Sequence, residues 1–98
     1  GALVNRAEAT IENGATVNCR LYPVPTREGA TLEVYGSASA RYSVKVYDKL
    51  GRIVNEYGAF RGASSIEIKT ENLPAGIYFV MVRTTKGNFL IQKLIKQI

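Results

Sequence analysis

Along most of this chain apolar residues recur at every second position, and that spacing restricts what it can fold into more than any other feature. Val17, Cys19 and Leu21 alternate with polar neighbours, as do Leu32 and Val34, then Tyr42, Val44 and Val46, and later Ile66 and Ile68. Successive side chains of a strand point to opposite faces, so a period of two marks strands with one face buried, whereas a helix would need a period near 3.6. The alternation is less clean through Ile53, Asn55 and Tyr57. Ile77-Tyr78-Phe79-Val80-Met81-Val82 is apolar at every position and rich in β-branched and aromatic residues, which predicts a central strand with little exposure on either face. Phe89 to Ile95 is nearly as apolar and is placed to pair with it as a hairpin. Only Ala7 to Glu12 reads as a short helical turn.

The punctuation agrees with strands. Asn13-Gly14 is a two-residue hairpin signal, because both positions of such a turn need positive φ. Asp48-Lys49-Leu50-Gly51 closes a second hairpin and Lys86-Gly87-Asn88 a third, while Asn72-Leu73-Pro74-Ala75-Gly76 forms a turn leading into the central strand. Pro23 and Pro25, one residue apart, lack backbone donors. They require an extended stretch at a sheet edge or outside the sheet. Seven to eight short strands in 98 residues with regular turns point to an all-β fold, an immunoglobulin-like antiparallel β-sandwich, with a small closed barrel as the alternative. The chain holds one core, with residues 1–16 read as the junction to a preceding domain and 17–98 as the folded unit.

Composition narrows function by subtraction. There is no histidine and one cysteine, Cys19, so neither a histidine-activated nucleophile nor a structural zinc cage can be assembled, and no cofactor or metal site is expected. The eight acids are scattered without calcium-loop spacing. Binding rather than catalysis is the expectation. The apolar run Ile77 to Val82 is far shorter than the roughly 18 residues a membrane span needs, and the first residues do not form a signal peptide. Net charge is +5, unevenly spread. Residues 1–71 carry nine bases and eight acids, whereas residues 72–98 carry Arg83, Lys86, Lys93 and Lys96 and no acid. These bases form no cluster or nucleic-acid motif, so no nucleic-acid partner is expected. They suit instead an edge strand whose lysines discourage pairing with other chains. Lys93 and Lys96 are an odd number of residues apart and should face opposite sides of their strand, each ammonium reaching water on its long stem.

Read in order, the pieces match one pattern. Tyr22-Pro23-x-Pro25-Thr26 is followed by Leu32-x-Val34, by Val44-x-Val46-Tyr47-Asp48-x-x-Gly51-Arg52-x-Val54 and by Ile66-x-Ile68. Leu73-Pro74-Ala75-Gly76-Ile77-Tyr78 and a Lys-Gly pair ahead of a basic, apolar end complete it. This succession, from Leu21 to Gln97, resembles the C-terminal sorting domain of the type IX secretion system. The resemblance implies a transport label. Such a domain follows a cargo domain in the same chain and is recognised by the outer-membrane type IX translocon with its shuttle and sortase proteins. For many cargoes it is then cut off as the cargo is attached to the cell surface. It also implies passage through the periplasm to the cell surface or the extracellular space.

Carried over by resemblance, the recognition elements are Lys93, Leu94, Ile95, Lys96 and Gln97 of the tail, with Leu73, Pro74, Ala75 and Gly76 of the turn. Tyr22, Pro23, Pro25, Asp48, Gly51, Arg52 and Tyr78 are the structural motif positions. Val24 departs from the family pattern, which has Asn between the prolines. The alternative from another class is an uncleaved immunoglobulin-like adhesive, structural or signalling module of a surface protein, six dispersed tyrosines being its means of stacking on sugars. The apolar terminal strand also gives an isolated domain the means to form a strand-exchanged dimer.

Overall fold

The computed structural model describes residues 3–10 and 16–98, with side chains from Val17 onward. Eight strands follow in chain order: β1 (Leu3–Thr10), β2 (Thr16–Val24), β3 (Gly29–Gly36), β4 (Arg41–Asp48), β5 (Ile53–Arg61), β6 (Ser64–Lys69), β7 (Gly76–Thr84) and β8 (Phe89–Lys96). They form two four-stranded antiparallel sheets, ordered β1-β2-β3-β6 and β5-β4-β7-β8. Sheets that pack about 10 Å apart give a flat body, and the shortest dimension here is 17 Å. The chain changes sheet between β3 and β4, β5 and β6, and β6 and β7, so that β3 lies beside β6 and β4 beside β7. That winding makes β2–β8 an immunoglobulin-like sandwich, with β1 added beside β2; the closed barrel is excluded by the two separate sheets.

The core takes in the alternating positions and every second residue of the continuous apolar run. Val44, Val46, Ile66, Ile68, Tyr78, Val80 and Val82 are all buried, together with Leu21, Leu32 and Leu94. Tyr42 is also interior. Its ring stacks on Phe60 with centroids 5.8 Å apart, and its hydroxyl donates to the Gly62 carbonyl at 2.7 Å. Burial pushes the Tyr42 phenol above its usual pKa. β7 and β8 pair as the expected hairpin from Gly76 opposite Lys96 to Arg83 opposite Phe89.

Four expectations are corrected or displaced. Ala7 to Thr10 are strand residues of β1, not a helical turn: pairing with the edge of β2 overrides the weak local preference of a short window. Among the described residues there is no helix. The Asn13-Gly14 turn lies outside the described residues. Pro23 does not sit on an edge strand, because β2 runs between β1 and β3. It follows the last β2–β3 pair, Tyr22 with Thr31, and falls where the β1–β2 register shifts between Leu3 and Asn5, so its missing donor interrupts no ladder. Both prolines follow cis peptide bonds. Finally, β7 is central in its sheet but not covered on both faces: Ile77 is 40% exposed, and Phe79 and Met81 are half-buried. Its outward residues have no layer packed over them among the described residues.

Candidate functional site

One end of the sandwich gathers the motif segments. β2 and β8 finish there, β4 turns into β5, and the chain between β6 and β7 crosses from one sheet to the other. The β4–β5 turn is held by its own acid. Asp48 Oδ1 accepts from the backbone N–H of Leu50 at 2.9 Å and of Arg52 at 3.0 Å, and Oδ2 accepts from Arg52 Nε at 2.7 Å. Gly51 takes φ +82°, a left-handed conformation that a residue with a Cβ adopts only under strain. The donated bonds, that from the Arg52 N–H foremost, hold the Asp48 carboxyl below its usual pKa, and the neighbouring guanidinium adds to this.

This depression has a testable consequence. A group whose folded pKa lies below its unfolded value contributes stability above the unfolded pKa, near 4 for Asp, and loses it as pH falls through the folded value. Asp48→Asn should therefore flatten the loss of urea resistance between neutral pH and about pH 3 relative to the parent protein. An unchanged pH profile would mean that the turn does not use the charge.

Asp48 pairs across the ladder with Tyr78, and Tyr78 leads to the next motif. The Tyr78 hydroxyl donates to the Pro74 carbonyl at 2.5 Å, while the Leu73 N–H donates to the Thr70 carbonyl at 3.0 Å, folding the 70–76 segment back onto the sheet. Between the two turns lies a groove of about 360 Å³, with Asp48, Leu50 and Arg52 on one side and Leu73, Pro74 and Gly76 on the other.

The tail completes this end. Gly76 pairs with Lys96 and Ile77 with Ile95, so the Leu73–Gly76 turn and the tail are neighbours in space. On the opposite flank of β8 the Thr26 N–H donates to the Ile95 carbonyl at 2.8 Å and the Gln97 N–H to the Thr26 carbonyl at 2.6 Å, making a short parallel bridge. Thr26 comes directly after Pro25, so the Pro-x-Pro segment lies against the tail, with Pro23, Pro25 and Gln97 lining one surface. The end of β8 is thus held on both sides, by the Leu73–Gly76 turn and by the Pro-x-Pro corner.

The two tail lysines separate as their spacing requires: Lys93 is exposed and Lys96 is buried. Lys96 is not solvated, contrary to expectation. Its Nζ donates to the carbonyl of Thr70, which is itself fully buried at the end of β6. The physical reason is the tertiary position of β6. Just past β6, where the chain crosses toward β7, the Thr70 carbonyl accepts from the Leu73 N–H and lies within reach of the Lys96 stem. Leu94 is fully buried, so within the tail only Lys93, Gln97 and Ile98 are strongly exposed and Ile95 is half-buried. Among the turn residues Pro74, Ala75 and Gly76 are exposed and Leu73 packs partly against the core.

Tyr22 stands apart, on the outer face of the first sheet. Its hydroxyl and that of Tyr35 both donate to Glu33, and Arg20 Cζ lies 5.5 Å over the Tyr22 ring. These bonds, Tyr22's first, hold the Glu33 carboxyl low, and the same carboxylate raises the Tyr22 phenol. Residue reading overlooked Thr26 and Thr70 as partners of the tail. Thr26 was visible as the residue closing the Pro-x-Pro-Thr run, and Thr70 as the next inward position after Ile66 and Ile68.

The separated motifs thus meet at one end of an immunoglobulin-like sandwich, around a strand held from both sides. Residues 20–97 match the secretion system C-terminal sorting domain, and the chain belongs to that family. The family assigns it a sorting role in type IX secretion, in company with the secretion machinery and a cargo domain, and export to the cell surface or beyond. No curated protein is similar enough to be matched. No helix of the described residues is long and apolar enough to cross a membrane.

Proposed function

We propose that the export machinery reads the end of the sandwich as one composite surface, formed by the Leu73–Gly76 turn, the Asp48–Arg52 turn, the Pro-x-Pro corner and the end of the tail. The observation that carries this is their convergence at one end, the Leu73–Gly76 turn and the Pro-x-Pro corner flanking residues 95–97 and the Asp48–Arg52 turn facing Leu73–Gly76 across the groove, although they are spread from position 23 to position 97 in the sequence. Such a surface exists only in the folded domain, so recognition also tests folding. The domain acts by being bound and catalyses nothing. After export the chain is cut within residues 1–16 by a sortase that attaches the cargo to the cell surface.

A passenger fused to the whole chain, in a strain with this secretion system, should reach the outside of the cell. Ala75→Glu with Gln97→Glu places charge on two exposed positions at this end and should leave the urea midpoint nearly unchanged, as surface substitutions usually do. The folded double variant should accumulate in the periplasm. Normal delivery of that variant would show that this end is not read. Mass spectrometry of the delivered passenger should find a new terminus within residues 1–16, and an intact fusion would refute the cleavage.

A further inference from the structure

The outer faces of the two sheets differ in kind. On the first sheet Arg20, Tyr22, Glu33 and Tyr35 form one hydrogen-bonded polar cluster, and Thr31 bonds to Glu67 beside it. On the second sheet the outward rows are largely apolar. Tyr47 lies opposite Phe79, Met81 opposite Ile91, and Ile77 opposite Ile95, with Phe89 closing the row beyond Ile91. Phe89 is 56% exposed and Ile91 47%, so this face is open in the domain itself. A contiguous apolar area of this kind on a small soluble domain marks an interaction surface more often than a chance grouping.

Its charges say what can cover it. Arg41, Lys45, Arg61, Arg83 and Lys93 stand on this face among the described residues, and the only acid there is Glu56, which lies 3.8 Å from Lys45. A second copy of the chain docking face to face would bring these cations together, which disfavours a homodimer through this sheet. The fitting occupant is apolar at its centre and acidic at its rim. A flat sheet whose apolar side chains stand in register across three strands suits a shaped protein surface better than a bilayer, which amphipathic helices or loops enter by immersing one apolar edge.

We propose that the outer face of β4, β7 and β8 is a second docking surface, distinct from the composite end, for an acidic-rimmed apolar surface on a protein of the export machinery. This rests on reading the domain as an export label. The face continues into the composite end through Ile77 and Ile95, so one partner, or two adjacent ones, can engage both.

The test uses the passenger fused to the whole chain. Phe89→Ser with Ile91→Ser removes the two most exposed apolar side chains of β7 and β8, and surface delivery should fall about tenfold or more, as truncation of central interface residues does. Arg83→Glu, which inverts charge opposite Phe89 without altering the apolar row, should lower delivery in the same direction and decides the matter if the serine variant fails to fold. Folded variants of both kinds delivered normally, beside an Ala75→Glu, Gln97→Glu variant that is blocked, would overturn this inference and leave the composite end standing. Failure of the unmodified fusion to be delivered would overturn the export reading itself. Binding of the unmodified domain to vesicles of three parts phosphatidylethanolamine and one part phosphatidylglycerol, lost in the serine variant, would make the occupant a lipid surface and refute a protein partner.

Discussion

Lys96→Glu should destabilise the domain by on the order of 3 kcal/mol or more, while Lys93→Glu changes stability by about 0.5 kcal/mol or less. The two residues are three apart on one strand and carry the same charge, yet one ammonium is buried against the Thr70 carbonyl and the other is at the surface. A hydrogen bond from a charged donor contributes roughly 1.5 to 3 kcal/mol, and its removal leaves the Thr70 carbonyl with the Leu73 N–H as its remaining donor. Glutamate adds an uncompensated buried carboxylate facing that same oxygen, which costs more again. Lys96→Met, which keeps the stem and loses the charge, should fall between the parent and the glutamate variant. Urea unfolding of the three variants checks the order; equal, small shifts for Lys93→Glu and Lys96→Glu would place Lys96 in water. The consequence for function is direct. Loss of export in a Lys96 variant reports on folding first, and only Lys93 can be used to ask whether the machinery reads a tail charge.

Leu94→Ala should cost about 2 to 5 kcal/mol, by lost transfer energy and the cavity left in a layer that cannot fully collapse. Leu94 is fully buried and pairs across the ladder with Tyr78, whose hydroxyl holds the 74–78 turn. Domains of this size have total stabilities of the order of 5 to 15 kcal/mol, so the loss is large enough to populate unfolded chain at physiological temperature. The denaturation midpoint of the isolated variant should drop accordingly, and its passenger should fail to be exported because the composite end is no longer assembled. A midpoint within error of the parent would mean that the tail lies on the domain rather than in it.

Both results turn on one strand presenting two different faces. In the tail, alternation sends Leu90, Gln92, Leu94 and Lys96 inward and Phe89, Ile91, Lys93 and Ile95 outward. The inward set holds the sandwich together. The outward set, with the exposed turn at Pro74 to Gly76, is what remains for a partner to touch.

Much of this was legible without a structure. A period of two needs no tertiary information, since it follows from the pleat, and it placed Val44, Val46, Ile66 and Ile68 inside. Turn chemistry is equally local: Asp48 and Gly51 close their hairpin by bonds and dihedrals confined to five residues. The succession of prolines, turns and apolar runs sufficed to name the family. Beyond that point the sequence by itself was silent, because alternation states which side of a strand a residue takes but not what lies on that side. Lys96 is inward by its spacing, yet only the crossing of the chain from β6 to β7 brings the Thr70 carbonyl within its reach. Ile77, Phe79 and Met81 read as buried because an apolar run usually is; the absence of a covering layer over β7 among the described residues leaves them open. The meeting of residues 23–26, 48–52, 73–76 and 95–97 at one end was decided by strand pairing over long stretches of chain, and long-range pairing is the part of folding that local pattern does not encode.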